Sequence, residues 1–261
     1  MVCEDKITLD QFKKLSGIVY KESGIVINKK KYALLTARLA KRMRLNKISS
    51  VFDYIELISS NSNEFTEFID AITTNHTYFF RENKHCEYII NNMDNTKFIK
   101  IWSAASSSGE EPFSIAVQLL ANSFSFNIYA SDVSGSMLQK CRRAIYPQER
   151  VKNVPLPILH TYFQKGINKW QGYVKLKRKV RQYVKFEKHN LLYDIPVNTF
   201  DIIFCRNVMI YFDTPTKQKV VDGLCRALNP GGYLFVGMSE SLNGLKHELN
   251  NILPSGYQKK L

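Results

Sequence analysis

The stretch WSAASSSGEEPFSIA, residues 102–116, follows an apolar run, FIKI, and leads into a helix-like run, FSIAVQLL. Strand, small-residue turn and helix form the usual seat of a nucleotide-like cofactor, because the first turn of a helix leaves backbone N–H groups free. This turn has one glycine, Gly109, and carries Glu110 and Glu111 where a phosphate would dock. Two carboxylates there already use the positive end of the helix and repel a pyrophosphate. The fingerprints GxxxxGKS/T and GxGxxG are both absent. The stretch therefore favours a cofactor without phosphates, one that brings positive charge.

The pattern continues outward from this turn. FIKIWSA reads as a strand, EPFSIAVQLLANS as a helix, NIYASD as a strand and SGSMLQKCRRAI as a helix. Farther on, FDIIFCRN is a strand, PTKQKVVDGLCRAL a helix, and NPGG turns into a last strand, YLFVGM. Such alternation implies a mostly parallel sheet covered by helices, with ligands at the carboxyl ends of the strands. SAASSSGEE, Asp132 and CRN all fall at such ends. Asp132, closing the second strand, is placed to accept both hydroxyls of a ribose. S-adenosylmethionine, an adenosine with a sulfonium and an amino-acid tail, meets these conditions. The competing reading leaves Glu110 and Glu111 as stabilisers of the helix dipole alone. An interruption runs from about Arg150 to Lys188, where GYVKLKRKVRQYVKF alternates apolar and basic residues. It predicts an antiparallel hairpin with one wet face, in a small inserted subdomain.

Up to about residue 70 the period is helical. In KYALLTARLAKRMRLNK, Leu35, Leu39 and Met43 recur every four residues with Tyr32 on their face, while Arg38, Lys41, Arg42 and Lys47 fall largely elsewhere. SVFDYIELISS and NEFTEFIDAITT are further amphipathic helices, with Ser50 and Asn63 as candidate caps. The expected division is a helical domain over 1–70, a linker and cofactor-contacting segment over 71–97, and a sheet domain over 98–261 with its β-subdomain at about 150–188. A chain of 261 residues can bury one large core and a smaller satellite.

The formal net charge is +14, and the basic residues cluster: Lys29–Lys47 holds eight and no acid, Arg150–Lys188 eleven against Glu187 alone. Such a surface attracts nucleic acid, anionic membrane or acidic protein. No run of about 18 apolar residues occurs, so membrane insertion is not expected. The five scattered cysteines, without CxxC, argue against a disulfide framework or a metal site. With no apolar signal region in MVCEDKITLD, the expected location is the cytoplasm.

The blocks NHTYFFR (75–81), WSAASSSGEEPFSIA, ASDVSGSML, HNLL and FCRNVMIYFD, in this order, closely resemble the chemotaxis receptor methyltransferases, the CheR family. The resemblance covers nearly the whole chain. It implies an α/β fold: a class I S-adenosylmethionine-dependent methyltransferase (Rossmann-like) domain with an inserted antiparallel β-subdomain, preceded by an all-α N-terminal domain. It also implies transfer of methyl from S-adenosylmethionine, leaving S-adenosylhomocysteine, to glutamate side chains of methyl-accepting chemoreceptors. Residue by residue, Asn75, Thr77 and Arg81 would line the cofactor pocket, Glu111 contact the cofactor and Asp132 bind its ribose. Asn190 and Leu191 would lie beside the adenine, Arg206 and Asn207 close the pocket, and Arg81 and Tyr211 stand nearest the methyl. Ser106 and Phe113 replace the family's frequent cysteine and tyrosine, and neither carries chemistry here.

The Lys29–Lys47 cluster would then meet acidic receptor helices, and the β-subdomain a receptor carboxyl-terminal peptide, recruiting the protein to membrane receptors. Two rivals are weighed against this. A non-catalytic S-adenosylmethionine-binding scaffold is opposed by the intact Arg81 and Tyr211. A nucleic-acid methyltransferase is opposed by the lack of an NPPY-like or Pro-Cys motif, Cys205 following Phe204, so no nucleic-acid partner is expected.

Overall fold

Four helices open the chain: α1 (Leu9–Ser23), α2 (Tyr32–Leu45), α3 (Val51–Ser60) and α4 (Ser62–Ile72), in a computed structural model that describes residues 7–73, 76–193 and 199–261. Thr8 and Gln11 form a capping box on α1, and Gly24, at φ +72°, ends it. Leu35, Leu39 and Met43 face inward together and share a core with Leu15, Val19, Tyr54 and Phe68. Ser50 caps α3 as expected. The cap of α4 is Asn61 rather than Asn63: its Oδ1 accepts the backbone N–H groups of Asn63 and Glu64, both at 3.0 Å.

Two of the clustered cations turn out to be internal struts. Arg42 Nε donates to Glu64 Oε1 at 3.0 Å and its Nη1 to Glu67 at 3.1 Å, while Tyr54 Oη donates to Glu64 at 2.6 Å. Arg38 Nη1 donates to the carbonyl of Ala71 at 2.7 Å. Both arginines therefore fasten α2 to α4, and Lys29, Lys41, Arg44 and Lys47 remain exposed.

The stretch expected as a linker contains a helix, α5 (Lys84–Asn92). Beyond it follow β1 (Phe98–Ala104), α6 (Glu110–Ala121), β2 (Ser125–Asp132), α7 (Gly135–Arg143), β3 (Ile145–Pro147), α8 (Leu156–Tyr162), β4 (Phe163–Lys165) and β5 (Tyr173–Leu176). The chain continues through α9 (Arg178–Arg181), β6 (Val184–Lys188), β7 (Phe200–Cys205), α10 (Thr214–Ala227), β8 (Leu228–Val236), β9 (Leu249–Leu253) and β10 (Gly256–Lys259). The main sheet has the order β6-β2-β1-β7-β8-β10-β9. Its first five strands are parallel; β10 runs antiparallel to both β8 and β9. Helices cover both faces, so the central strands are apolar on both. Ile99, Ile101, Ile202 and Phe204 enter one layer, and Trp102, Ala104, Ile203 and Cys205 the other. The chain winds outward one way from β1 and the other way from β7, leaving a crevice at their carboxyl ends.

The basic, alternating stretch is not a hairpin. Its first half, β5, is the middle strand of a separate antiparallel sheet, β3-β5-β4. Its second half, β6, lies on the edge of the main sheet, parallel to β2, with Lys188 opposite Asp132. Between them the single turn of α9 buries Val180 and breaks the run. Alternation reports a strand with one wet face, which an edge strand of either sheet satisfies. The terminal pair β9–β10 was not anticipated.

Removing Arg42 strands Glu64, whose side chain is 7% exposed, without its cation. Arg42→Ala is expected to lower the unfolding free energy by about 3 kcal/mol in urea titration. Arg44→Ala, on the exposed side of the same helix, should change it by no more than about 0.5 kcal/mol.

Candidate active site

The turn after β1 is shaped by left-handed backbone. Ala105 and Ser107 have φ of +58° and +48°, and Gly109 +92°. A Cβ on Gly109 would lie 3.0 Å from Cys141 Sγ and 3.1 Å from Tyr146 Oη, so both space and conformation require glycine. The turn folds over the end of β2: Ser106 N donates to the Ser131 carbonyl at 2.8 Å and Ser107 N to Asp132 Oδ2 at 2.7 Å. Asp132 Oδ1 accepts Ser134 N at 2.9 Å. Burial pushes the Asp132 carboxyl up to about 6.

Glu110 and Glu111, about 100° apart around the helix, go separate ways. Glu111 lines the crevice, taking Ser103 Oγ at 2.7 Å and Arg206 Nε at 2.8 Å. Glu110 is buried behind the turn, where its carboxylate accepts Ser108 Oγ at 2.6 Å beside Arg150. Burial raises its pKa. Of the two glutamates only Glu111 therefore faces the crevice, where it pairs with Arg206.

Arg206, at the end of β7, is 7% exposed and spends its guanidinium on the walls. Besides Glu111 it donates to the carbonyls of Glu82 at 2.9 Å and Arg81 at 3.1 Å. Its Nη1 lies 3.3 Å from His85 Nδ1. Burial, then the Arg206 charge, lowers the pKa of His85. The neutral ring accepts at Nδ1 and donates from Nε2 toward the Pro254 carbonyl at 3.4 Å. These bonds hold the 76–82 segment, where Phe80 and Glu82 adopt φ of +60° and +50°. Ser114 Oγ accepts Phe80 N at 2.9 Å, and Arg150 Nη1 donates to the Thr77 carbonyl at 2.8 Å.

The resulting cleft opens to solvent at the carboxyl ends of β1, β2 and β7. Thr77, Arg81, Glu111, Asp132, Asn190, Leu191, Arg206, Asn207 and Tyr211 all line it. Asn75 lies outside the described residues. The helical part adds Ser23, Ile25 and Thr73 to the wall. Val26 N donates to the Tyr211 carbonyl at 2.9 Å, and Lys31 Nζ sits 4.6 Å from the Tyr211 ring centroid, its pKa lowered by burial. Asn190 has its amide committed: Nδ2 donates to the Glu22 carbonyl at 2.6 Å and Oδ1 accepts Leu192 N at 3.0 Å. It shapes the wall by tying α1 to the loop.

Sequence reasoning missed Glu82, His85, Lys31 and Glu240. Glu240 accepts three backbone N–H groups around Asn207; an isolated acid in a loop gives no sequence signal for that. Among the described residues no group of His, Cys, Asp or Glu is arranged to hold a metal. Ser106 Oγ, on the cleft wall, is buried without a hydrogen-bond partner. Such an atom is a seat for a ligand's polar group. With Asp132 for ribose hydroxyls, Glu111 nearby and Ile25, Leu191 and Phe212 as apolar walls, the residues fit S-adenosylmethionine.

The family model for the CheR methyltransferase SAM binding domain matches residues 75–256, and that for the CheR methyltransferase all-alpha domain matches residues 10–73. The chain belongs to the CheR methyltransferase family. S-adenosylmethionine is accordingly the cofactor, and the fold is the class I methyltransferase α/β domain with a small inserted antiparallel sheet, behind an all-α N-terminal domain. A chemotaxis protein methyltransferase of Borreliella burgdorferi is 37% identical over 97% of this chain and 95% of its own length. One from Escherichia coli is 37% identical over 90% of this chain and 85% of its own. One from Pseudomonas aeruginosa is 34% identical over 94% and 91%.

With Asp132 as the ribose acceptor that the family resemblance implies, hydroxyls would donate best to its ionised form, and binding is expected to release a proton near pH 6. Below that pH the free carboxyl is protonated, and affinity for S-adenosylhomocysteine is expected to fall about tenfold from pH 7 to pH 5. Calorimetry across that range tests it; Asp132→Asn should bind weakly with a nearly flat profile.

Proposed function

We propose that this chain is a protein-glutamate O-methyltransferase that converts glutamate side chains of methyl-accepting chemoreceptors to methyl esters, for chemotactic adaptation. The observation that carries the reading is that Arg81 and Tyr211 open onto one cleft with Glu111 and Asp132. S-adenosylmethionine supplies, when bound, a methyl group made electrophilic by its sulfonium. Thr77, Glu111, Asp132, Asn190, Leu191, Arg206 and Asn207 form its walls, with Asn75 as a further contact from the same motif.

A glutamate acceptor needs no general base. Its carboxylate, with a reference pKa near 4.3, is already the nucleophile at neutral pH. What remains is alignment and exclusion of water. Arg206 is neutralised by Glu111 and buried, so it does not compete for the acceptor. Arg81 keeps part of its side chain open, with Nη1 donating only to the His76 carbonyl at 2.9 Å. In this reading Arg81 orients the incoming carboxylate and Tyr211 shapes the space around the methyl. The exposed Lys29, Lys41, Arg44 and Lys47 steer acidic receptor helices. The small sheet β3-β5-β4 has open edges to which a receptor carboxyl-terminal peptide can add as a strand. No helix among the described residues is long and apolar enough to cross a membrane, and recruitment to membrane receptors rests on these contacts.

Labelled methyl transfer into receptor fragments, followed by alkaline release of methanol, tests the activity and the ester together. Arg81→Ala is expected to lower kcat/KM about a hundredfold, and Tyr211→Phe about tenfold. Label that survives alkali would exclude an ester.

A further inference from the structure

Two large apolar side chains at the mouth of the cleft face outward. Ile210 is 50% exposed and Met238 43%, although their neighbours Met209 and Gly237 are buried. Neither turn is slack, because one buried carboxylate holds both. Glu240 Oε2 accepts the N–H groups of Asn207 at 2.7 Å and Gly237 at 2.6 Å, and Oε1 accepts Ile210 N at 3.2 Å. Glu82 ties them again, accepting Asn207 Nδ2 at 3.1 Å and Met238 N at 3.2 Å. The turns are thus drawn to within the span of one carboxylate. Ile210 directly precedes Tyr211 in the chain, and Met238 shares Glu82 with Asn207; both Tyr211 and Asn207 line the cleft. A rigid backbone that keeps such groups in water marks a contact surface.

We propose that Ile210 and Met238 form a docking ledge for the methyl acceptor, and that the acceptor is an acidic amphipathic helix with an apolar residue one turn from its reacting glutamate. The inference rests on the proposed acceptor class and deepens it. Charge selects the occupant. The ledge carries no cation, whereas Lys31 lies over the Tyr211 ring, with exposed Lys29 just before it in the chain. The mouth is therefore apolar at the ledge and basic toward Lys31, the complement of a helix with an apolar stripe beside an acidic face. Residues at i and i+3 or i+4 share a helix face, so a glutamate entering toward Arg81 and Tyr211 sets an apolar neighbour on the ledge.

The test uses the full chain and a receptor fragment containing a methylation helix. Ile210→Ser with Met238→Ser is expected to raise KM for the fragment about tenfold. The kcat at saturation and the dissociation constant of S-adenosylhomocysteine should stay within about twofold. Leu156→Ser removes an apolar group that is 65% exposed on the small subdomain, and should leave KM unchanged. Replacing the apolar residue at i+3 or i+4 of the fragment by serine should raise KM for the native chain and not further for the double variant. An unchanged KM in the double variant overturns the ledge, as does a rise matched by lost S-adenosylhomocysteine affinity. A native chain that binds S-adenosylhomocysteine yet methylates no receptor fragment overturns the acceptor class, a result visible before any variant is made.

Discussion

A guanidinium buried at the end of β7 has to be neutralised and saturated with acceptors, because leaving either undone costs several kcal/mol. Arg206 meets this demand by recruiting three elements at once. Glu111 arrives on the first turn of α6, His85 on α5, and the carbonyls of Arg81 and Glu82 from the segment just before α5. Four of its five N–H groups are used in this way. The strained backbone at Phe80 and Glu82 persists because these bonds over-determine it. The wall of the cleft is thus a by-product of satisfying one cation. Motifs scattered over more than a hundred residues belong together for that reason.

Much of this was legible in the chain. Alternating strands and helices gave a parallel sheet because strands covered on both faces must be apolar throughout. The first sheet strand, FIKIWSA, matches β1 residue for residue. Asp132 and Arg206 stand at the carboxyl ends of strands that the alternation alone locates. What remained hidden depended on direction and partner. Glu110 and Glu111 are equal as letters, but one helical step aims them at different surroundings. GYVKLKRKVRQYVKF looked like one hairpin because alternation records a wet face and says nothing of the sheet to which a strand belongs. α5 was lost in KHCEYIINN, too short and polar to show a clear stripe. Asn190 stands on the cleft wall, yet its amide is bonded to protein on both sides.

The positive charge divides by environment in the same way. Arg38 and Arg42 sit in the basic cluster of α2, but they face Ala71, Glu64 and Glu67 and act as bolts within the helical bundle. Lys31, at the start of that helix, leans on Tyr211. Only the remainder is free to act at a distance. Counting charges overstates the field of such a surface, because paired cations contribute little beyond a few ångströms.

The bond from Asn190 to the carbonyl of Glu22 spans 168 residues, and Val26 joins Tyr211 across a similar separation. A nascent chain therefore completes its helical core early, since that core draws on residues before 73, yet has no finished cleft until residue 212 and the four main-sheet strands before it have emerged. Partial chains on the ribosome, and fragments left by proteolysis between the two parts, hold no complete seat for the cofactor. The methyl donor is thereby committed only to molecules in which the helical part and the sheet have come together.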